Sequence, residues 1–298
     1  MAYSHPVTRG YSAKIRAVLA QLEPVPGNID RNFEKVISVV ESHEGDLYVF
    51  PEMFLVGYTS QDIIYRLSMT LSSDYVEELI RISERRKCTI VIGFPELCEL
   101  GYLYNSALIA SMGRAYVYRK RHLPTFSIFD EHRWFKPFSG PIEPIDLGFA
   151  KIGVAICYDM FFPEIFKAYA LRGAKIMVVI SASPDTSVPL FHALAKARAI
   201  ETTSFVIWVN NAGVLEGVTF GGGSIAVAPL GEVIVELARG EEDVKVIELD
   251  LKDVYRARIA RPVIRDSSIS DVLELLRSYS DMERGPRALE SIYRNIGT

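Results

Sequence analysis

Residues 151–164 read KIGVAICYDMFFPE. Lys151 to Ile156 is an apolar, β-prone run of the length of a buried strand. Cys157 ends the run, Tyr158 and Asp159 follow, and Pro163-Glu164 opens a helical pattern reaching about residue 172. A cysteine at this junction lies at the carboxyl end of its strand, where open α/β sheets place their ligand crevices. The competing reading is a buried thiol that packs as a small hydrophobe. Position alone leaves both open, and the rest of the chain must decide.

Strands and helices alternate on both sides of this stretch. Strand patterns are expected at 14–22, 47–50, 89–93, 103–110, 115–118, 176–181, 205–209, 224–228, 233–237 and 244–249. Helical spacing marks 29–42, where Phe33, Val36, Ile37 and Val40 share a face behind a capping Asn28. Further helices are expected near 74–87, 189–202, 253–260 and 270–277, with a loose leader over 1–11 and a polar tail. No low-complexity linker or fixed-period repeat divides the chain, so a single layered α/β domain is expected.

With 298 residues, 49% of them hydrophobic and 23% charged, the chain can bury a large core without staples. A net charge of −4 offers no global basic field, which argues against nucleic acid as a partner. The three cysteines, Cys88, Cys98 and Cys157, are odd in number and widely spaced, so neither a disulfide framework nor a zinc site is supported. A reducing, cytoplasmic setting is expected. The start has no secretory h-region, and no apolar run approaches the ~20 residues of a membrane helix.

Two more strand ends carry chemistry. Glu52 follows the strand at 47–50, and Lys120 follows the strand at 115–118 within the basic run Arg119-Lys120-Arg121. Taken singly, Glu52 reads as a solvated loop carboxylate and Lys120 as one charge of a wet face. If the three strands neighbour one another in one sheet, Glu52, Lys120 and Cys157 converge at one rim.

FPEMFLVGY (50–58), YRKRHLP (118–124) and GVAICYDMFFPE (153–164) resemble the three signatures of the nitrilase superfamily of carbon–nitrogen hydrolases. The resemblance covers about residues 15–251. It implies an α/β fold, a four-layer α-β-β-α sandwich, with a carbon–nitrogen hydrolase domain over 12–265. A C-terminal helical extension over 266–298 would take part in subunit contacts. It implies a catalytic Glu-Lys-Cys set at Glu52, Lys120 and Cys157, with a second glutamate at Glu131 in FDEHRWFKPFSG that pairs with and orients the lysine. The chemistry so implied is hydrolysis of a small amide or carbamoyl compound through a cysteine thioester, with no metal or organic cofactor. The implied partners are a small-molecule substrate and further copies of the chain as a homodimer or higher oligomer, with no membrane and no nucleic acid.

A thiolate needs a base or cation to form, and its attack on an amide needs donors for the oxyanion. Glu52 is the expected base, and Lys120 with the Tyr158 backbone N–H the expected donors. Pocket walls are expected from Phe54, Tyr58, Phe126, Phe129, Trp134 and Phe161. Tyr58, Phe126, Tyr158, Phe161 and Ser183 are the expected substrate-binding residues.

FPEMFLVGYTSQDIIYR, HLPTFSIFDEHRWF and FGGGSIAVAPLGEV are also similar to the glutaminase domain of glutamine-dependent NAD synthetases. Tyr158 departs from that pattern, which carries an acidic residue after the nucleophile, and 298 residues leave no room for a synthetase half. The CYD form is that of free-standing amidases, although Phe161 replaces their usual arginine. A nitrilase acting on a C≡N group, a stand-alone glutaminase serving a partner synthetase, a Cys–His hydrolase using His192, and a scaffold without activity are the alternatives. GGGSIA is not the GxSxG elbow of a serine hydrolase.

Overall fold

The computed structural model describes residues 14–58, 63–215 and 217–284. The leader expected over 1–11 and the last part of the tail lie outside the described residues. The first half of the chain runs β1 (Lys14–Gln21), α1 (Ile29–Ser42), β2 (Leu47–Val49), α2 (Ile64–Leu67), α3 (Asp74–Arg86), β3 (Thr89–Leu97), β4 (Leu103–Ser111) and β5 (Arg114–Arg119). The second runs β6 (Ile145–Asp146), β7 (Lys151–Ile156), α4 (Pro163–Leu171), β8 (Ile176–Ser181), α5 (Val188–Thr202) and β9 (Phe205–Asn210). A hairpin of β10 (Ala212–Leu215) and β11 (Val218–Gly221) follows, then β12 (Ile225–Val227), β13 (Val233–Glu236), β14 (Asp243–Asp250), α6 (Lys252–Ala260) and α7 (Ile269–Arg284).

Two mixed sheets result. One has the order β14-β1-β2-β3-β4-β5, the other β13-β12-β9-β8-β7-β6. Their faces follow from the two-residue period of a strand. Ala17, Leu19, Val49, Val91 and Ile109 of the first sheet join the core that contains the second sheet. The intervening Val18, Tyr48, Ile90 and Leu108 join a separate core with Val36 and Val40 of α1 and Val76 and Leu79 of α3. Ile165 and Phe166 of α4 and Phe191 and Ala195 of α5 cover the second sheet. The layers are therefore α-β-β-α, as expected. The central strands β3, β4, β7, β8 and β9 are covered on both faces, which is why they are buried along nearly their whole length.

Local signals set several boundaries. The Asn28 side chain accepts from Arg31 N at 3.1 Å and starts α1. Pro163 occupies the first turn of α4, where its missing N–H costs nothing. The sequence reading ends β3 at Gly93, but the strand continues to Leu97 because β4 pairs with its whole length, from Thr89↔Ser111 to Leu97↔Leu103. Partner strands can override the break that Gly93 and Pro95 signal locally. The β10–β11 hairpin is absent from the sequence reading, since its four-residue arms carry Gly213 and Gly221 and leave little apolar pattern.

One expectation is corrected. Glu52, Lys120 and Cys157 do not come from neighbouring strands of one sheet. Glu52 follows β2 and Lys120 follows β5, with β3 and β4 between them, while Cys157 follows β7 in the opposite sheet. The side chains meet because the sheets stack face to face.

Candidate active site

Glu52 lies in the turn after β2 and is fully buried. Its Oε1 accepts from Lys120 Nζ at 2.7 Å and from Asn105 Nδ2 at 2.7 Å. Its Oε2 accepts from the backbone N–H of Ala182, just after β8, also at 2.7 Å. The carboxylate thus ties the first sheet to the second. Asn211 Nδ2 adds a bond to the Glu52 carbonyl at 3.0 Å.

The turn that carries Glu52 packs on Gly93 with no room to spare. A Cβ on Gly93 would lie 2.2 Å from Met53 N and 2.6 Å from Glu52 Cα. Backbone bonds from Gly93 N to Pro51 O (3.0 Å) and from Leu55 N to Gly93 O (3.3 Å) clamp the same turn. Gly93 is a positioning residue that sequence reasoning missed. Its only sequence signal is a glycine inside a β-prone run, which marks close backbone approach.

Lys120 is buried between two carboxylates. Its ammonium is 2.7 Å from Glu52 Oε1 and 2.7 Å from Glu131 Oε1. Burial opposes its charge, but Glu131 and Glu52 outweigh that and raise its affinity for the proton. Glu131 also accepts from the Tyr58 hydroxyl at 2.7 Å. Burial pushes the Glu131 carboxyl up to about 7, against Lys120 and with help from Glu52. Glu131 Oε2 is buried without a hydrogen-bond partner among the described residues. Two carboxyl groups thus share one buried ammonium.

Cys157 adopts φ 48°, a left-handed conformation costly for a side-chain-bearing residue. The turn lets β7 pass at once into a short 3₁₀ segment, Cys157–Phe161. The Cys157 Sγ lies 3.5 Å from Ser183 Oγ. Burial, with Glu52 next, pushes the thiol up to about 12, against the opposing pull of Lys120 and Ser183. Desolvation outweighs the nearby cation, so the surroundings favour the thiol over the thiolate.

Asp159 is a second positioning residue missed from sequence. It is fully buried, and its carboxylate accepts from His122 N (2.9 Å), Ile156 N (3.3 Å) and Arg121 N (3.3 Å), and from the Tyr118 hydroxyl (2.8 Å). It joins the segment around Lys120 to the turn at Cys157. His122 packs flat on Phe162, ring centroids 3.4 Å apart, which closes the same junction.

Cys157 opens onto a cavity of about 280 Å³. Of the residues expected to bind substrate, Phe126, Tyr158, Phe161 and Ser183 line it, and Phe129 adds a further ring. Tyr58 and Trp134 lie instead beside Glu131, on a small space of about 20 Å³. Phe54, expected in the pocket wall, is a core residue packed near Phe50 with its ring 6.0 Å away. It is corrected to a packing role, because it follows Glu52 by two positions and turns into the helix-facing layer.

His192 does not form a pair with the cysteine. Its Nε2 is 2.6 Å from the Gly223 carbonyl, and its Nδ1 faces Glu236 at 3.8 Å. Ser224 of the GGGSIA run is buried and bonded to Gln21 Oε1 at 2.8 Å. Among the described residues, no group of three or more His, Cys, Asp or Glu side chains is arranged to hold a metal ion, and no helix is long and apolar enough to cross a membrane.

A buried acid–lysine–acid chain and a cysteine on a strained strand end thus lie between the two sheets of an α-β-β-α sandwich. The carbon–nitrogen hydrolase family model matches residues 16–259, and the chain belongs to that family, within the nitrilase superfamily. Among its relatives, the glutamine-dependent NAD(+) synthetase of Aquifex aeolicus is 28% identical over 296 residues, covering 94% of this chain and 52% of that protein. The chain thus spans about half the length of that relative. The (R)-stereoselective amidase of a Pseudomonas species is 31% identical over 252 residues, covering 83% of this chain and 89% of the amidase. A mutant of the amidase from Nesterenkonia sp. AN1, solved with the acetamide moiety of fluoroacetamide covalently added at its active-site cysteine, superposes with a TM-score of 0.73. That structure is 26% identical and covers 89% of this chain and 96% of its own.

Proposed function

We propose that the protein hydrolyses the C–N bond of a small amide through a thioester on Cys157, with Glu52, Lys120, Cys157 and Glu131 as its catalytic residues. One observation carries the reading: a fully buried lysine held at 2.7 Å by each of two buried carboxylates, beside a cysteine that opens onto a cavity. A purely structural core has little use for such a chain, since buried ion pairs seldom stabilise a fold better than apolar packing.

The chemistry follows from the resting charges. The thiol keeps its proton until substrate arrives. As sulfur bonds to the carbonyl carbon, the thiol proton passes to Glu52. The carbonyl oxygen gains charge, and Lys120 Nζ and the Tyr158 backbone N–H receive it. The latter lies in the first turn of the 3₁₀ segment, where amides lack intrahelical partners. One such donor is worth about 3 kcal/mol of barrier. The C–N bond then breaks, Glu52 returns its proton to nitrogen, and ammonia leaves. Water attacks the thioester as Glu52 takes its proton, the acid departs, and sulfur regains the proton. Glu131 holds Lys120 in place through a bond of 2.7 Å.

We also propose that the chain works as a homodimer or larger homo-oligomer in the cytoplasm, without a cofactor or nucleic acid. Exposed Val272, Leu276 and Tyr279 on α7 support a part for the 266–298 extension in subunit contacts. Light scattering of the full chain and of one ending at residue 265 tests this, and equal monomer masses would overturn it.

Ammonia release across primary amides, ω-amides including glutamine, carbamoyl compounds and nitriles tests the function, with Cys157→Ala as control. Release that persists in Cys157→Ala, or from nitriles alone, would overturn the amide reading.

A further inference from the structure

The cavity over Cys157 has walls whose chemistry bears on the acyl group. We infer that the substrate is an amide of an uncharged, apolar acyl group with a ring or branched chain, and not an amide bearing a free carboxylate or ammonium such as glutamine. This rests on the amide-hydrolase reading above and deepens it.

The walls decide the point. Phe126, Phe129 and Phe161 supply three rings, and Leu190 with Phe191 of α5 supplies further apolar surface. The rings hold one another edge-on: Phe126 against Phe129 at 6.0 Å, Phe126 against Tyr158 at 5.2 Å, and Phe161 against Phe191 at 5.6 Å. Such a chain of T-shaped contacts gives the pocket a fixed aromatic lining. The polar members are the hydroxyls of Tyr158, Ser183 and Ser187, and among the described residues no charged side chain lines the cavity. Ser183 is committed at the sulfur, 3.5 Å away.

A carboxylate entering this space would lose its water and find no cation to replace it. Lys120 does not line the cavity, two of its three N–H donors are bonded to Glu52 and Glu131, and the third is the one the mechanism assigns to the scissile carbonyl, so none is left for a second anion. An α-ammonium would meet aromatic edges and hydroxyls and no carboxylate on the cavity wall. An apolar acyl group meets the reverse balance. Each methylene it buries adds about fourfold to binding, and about 280 Å³ accepts a phenyl or branched butyl group beyond the scissile carbonyl.

The test measures ammonia release by the full chain from phenylacetamide, isovaleramide, acetamide, succinamate and glutamine. It also follows protection of Cys157 from iodoacetamide, which needs no turnover. The expected kcat/KM for phenylacetamide or isovaleramide exceeds that for glutamine and succinamate by at least 100-fold, and only the apolar amides slow alkylation. In Leu190→Arg, a change at a half-exposed position on the rim of the cavity, the ratio should move at least tenfold toward succinamate. Faster release from glutamine or succinamate than from both apolar amides would overturn the inference and leave the hydrolase standing. Hydrolysis of none of the amides, with no protection by any, would overturn the hydrolase reading and this inference with it.

Discussion

Gly93→Ala puts the geometry of Glu52 under direct strain. The new Cβ would stand 2.2 Å from Met53 N and 2.6 Å from Glu52 Cα, where ordinary contact begins at 3.4 Å. Both obstacles are backbone, so no side chain can swing aside. The Glu52 turn must retreat by about 1 Å. The hydrogen bonds of 2.7 Å that Glu52 accepts from Lys120, Asn105 and Ala182 cannot all survive that movement. Misplacing a catalytic group by ~1 Å costs on the order of 100-fold in rate. Overpacking of this kind also costs roughly 1–3 kcal/mol of stability. The assay is kcat for an amide that the wild type hydrolyses, measured by ammonia release, beside urea unfolding of the same preparation. The expected result is a kcat loss of about 100-fold in a protein that still unfolds cooperatively. A variant with kcat within threefold of wild type and an unchanged urea midpoint would refute the role given to Gly93.

Lys120→Met leaves two buried carboxylates facing each other and should destabilise the fold by about 3–5 kcal/mol in urea titrations. Adding Glu131→Gln should restore part of that loss, and strict additivity would count against the coupling. For Glu131 the sign is fixed by its raised pKa. Burial moves the carboxyl from an ordinary 4.5 to about 7, so the protonated form favours the fold. That contribution is complete below about pH 4.5 and is lost as pH rises through about 7. The unfolding free energy of wild type minus that of Glu131→Gln should therefore fall over this window and stay level above it; a rise would contradict the assignment. Cys157→Gly and Cys157→Ala should both abolish turnover, but Gly should be the more stable by about 1 kcal/mol, since it relieves the left-handed φ of 48°. Asp159→Asn turns an amide N–H₂ toward the N–H donors of Arg121, His122 and Ile156. It should cost about 2–3 kcal/mol per charge-assisted bond lost, with the loss read from thermal unfolding.

What could be read in the sequence follows from which signals are local. A buried strand that ends in a functional side chain leaves a contiguous trace, so Glu52, Lys120 and Cys157 each stood out after an apolar run. The sheet partners of those strands left none, because pairing is set by residues far apart in the chain. The single-sheet convergence therefore failed, although the convergence itself survived in a different geometry. Gly93, Asn105 and Asp159 were invisible for the same reason: each acts on a segment at least 35 residues away, through a close backbone approach or a buried hydrogen bond. Phe54 shows the opposite error. Nearness to Glu52 in sequence suggested a pocket wall, but a shift of two residues around a turn sent the ring into the helix-facing core. The thiol teaches the same lesson in energetic form. Residue types alone name Glu52 as a base and Lys120 as a donor, yet burial and the two carboxylates against one ammonium favour the proton on sulfur. Residue types thus name the participants, while burial and the sheet-to-sheet register decide where each proton rests. In this site they favour the proton on Cys157, because burial and the neighbouring carboxylates outweigh the pull of Lys120 and Ser183.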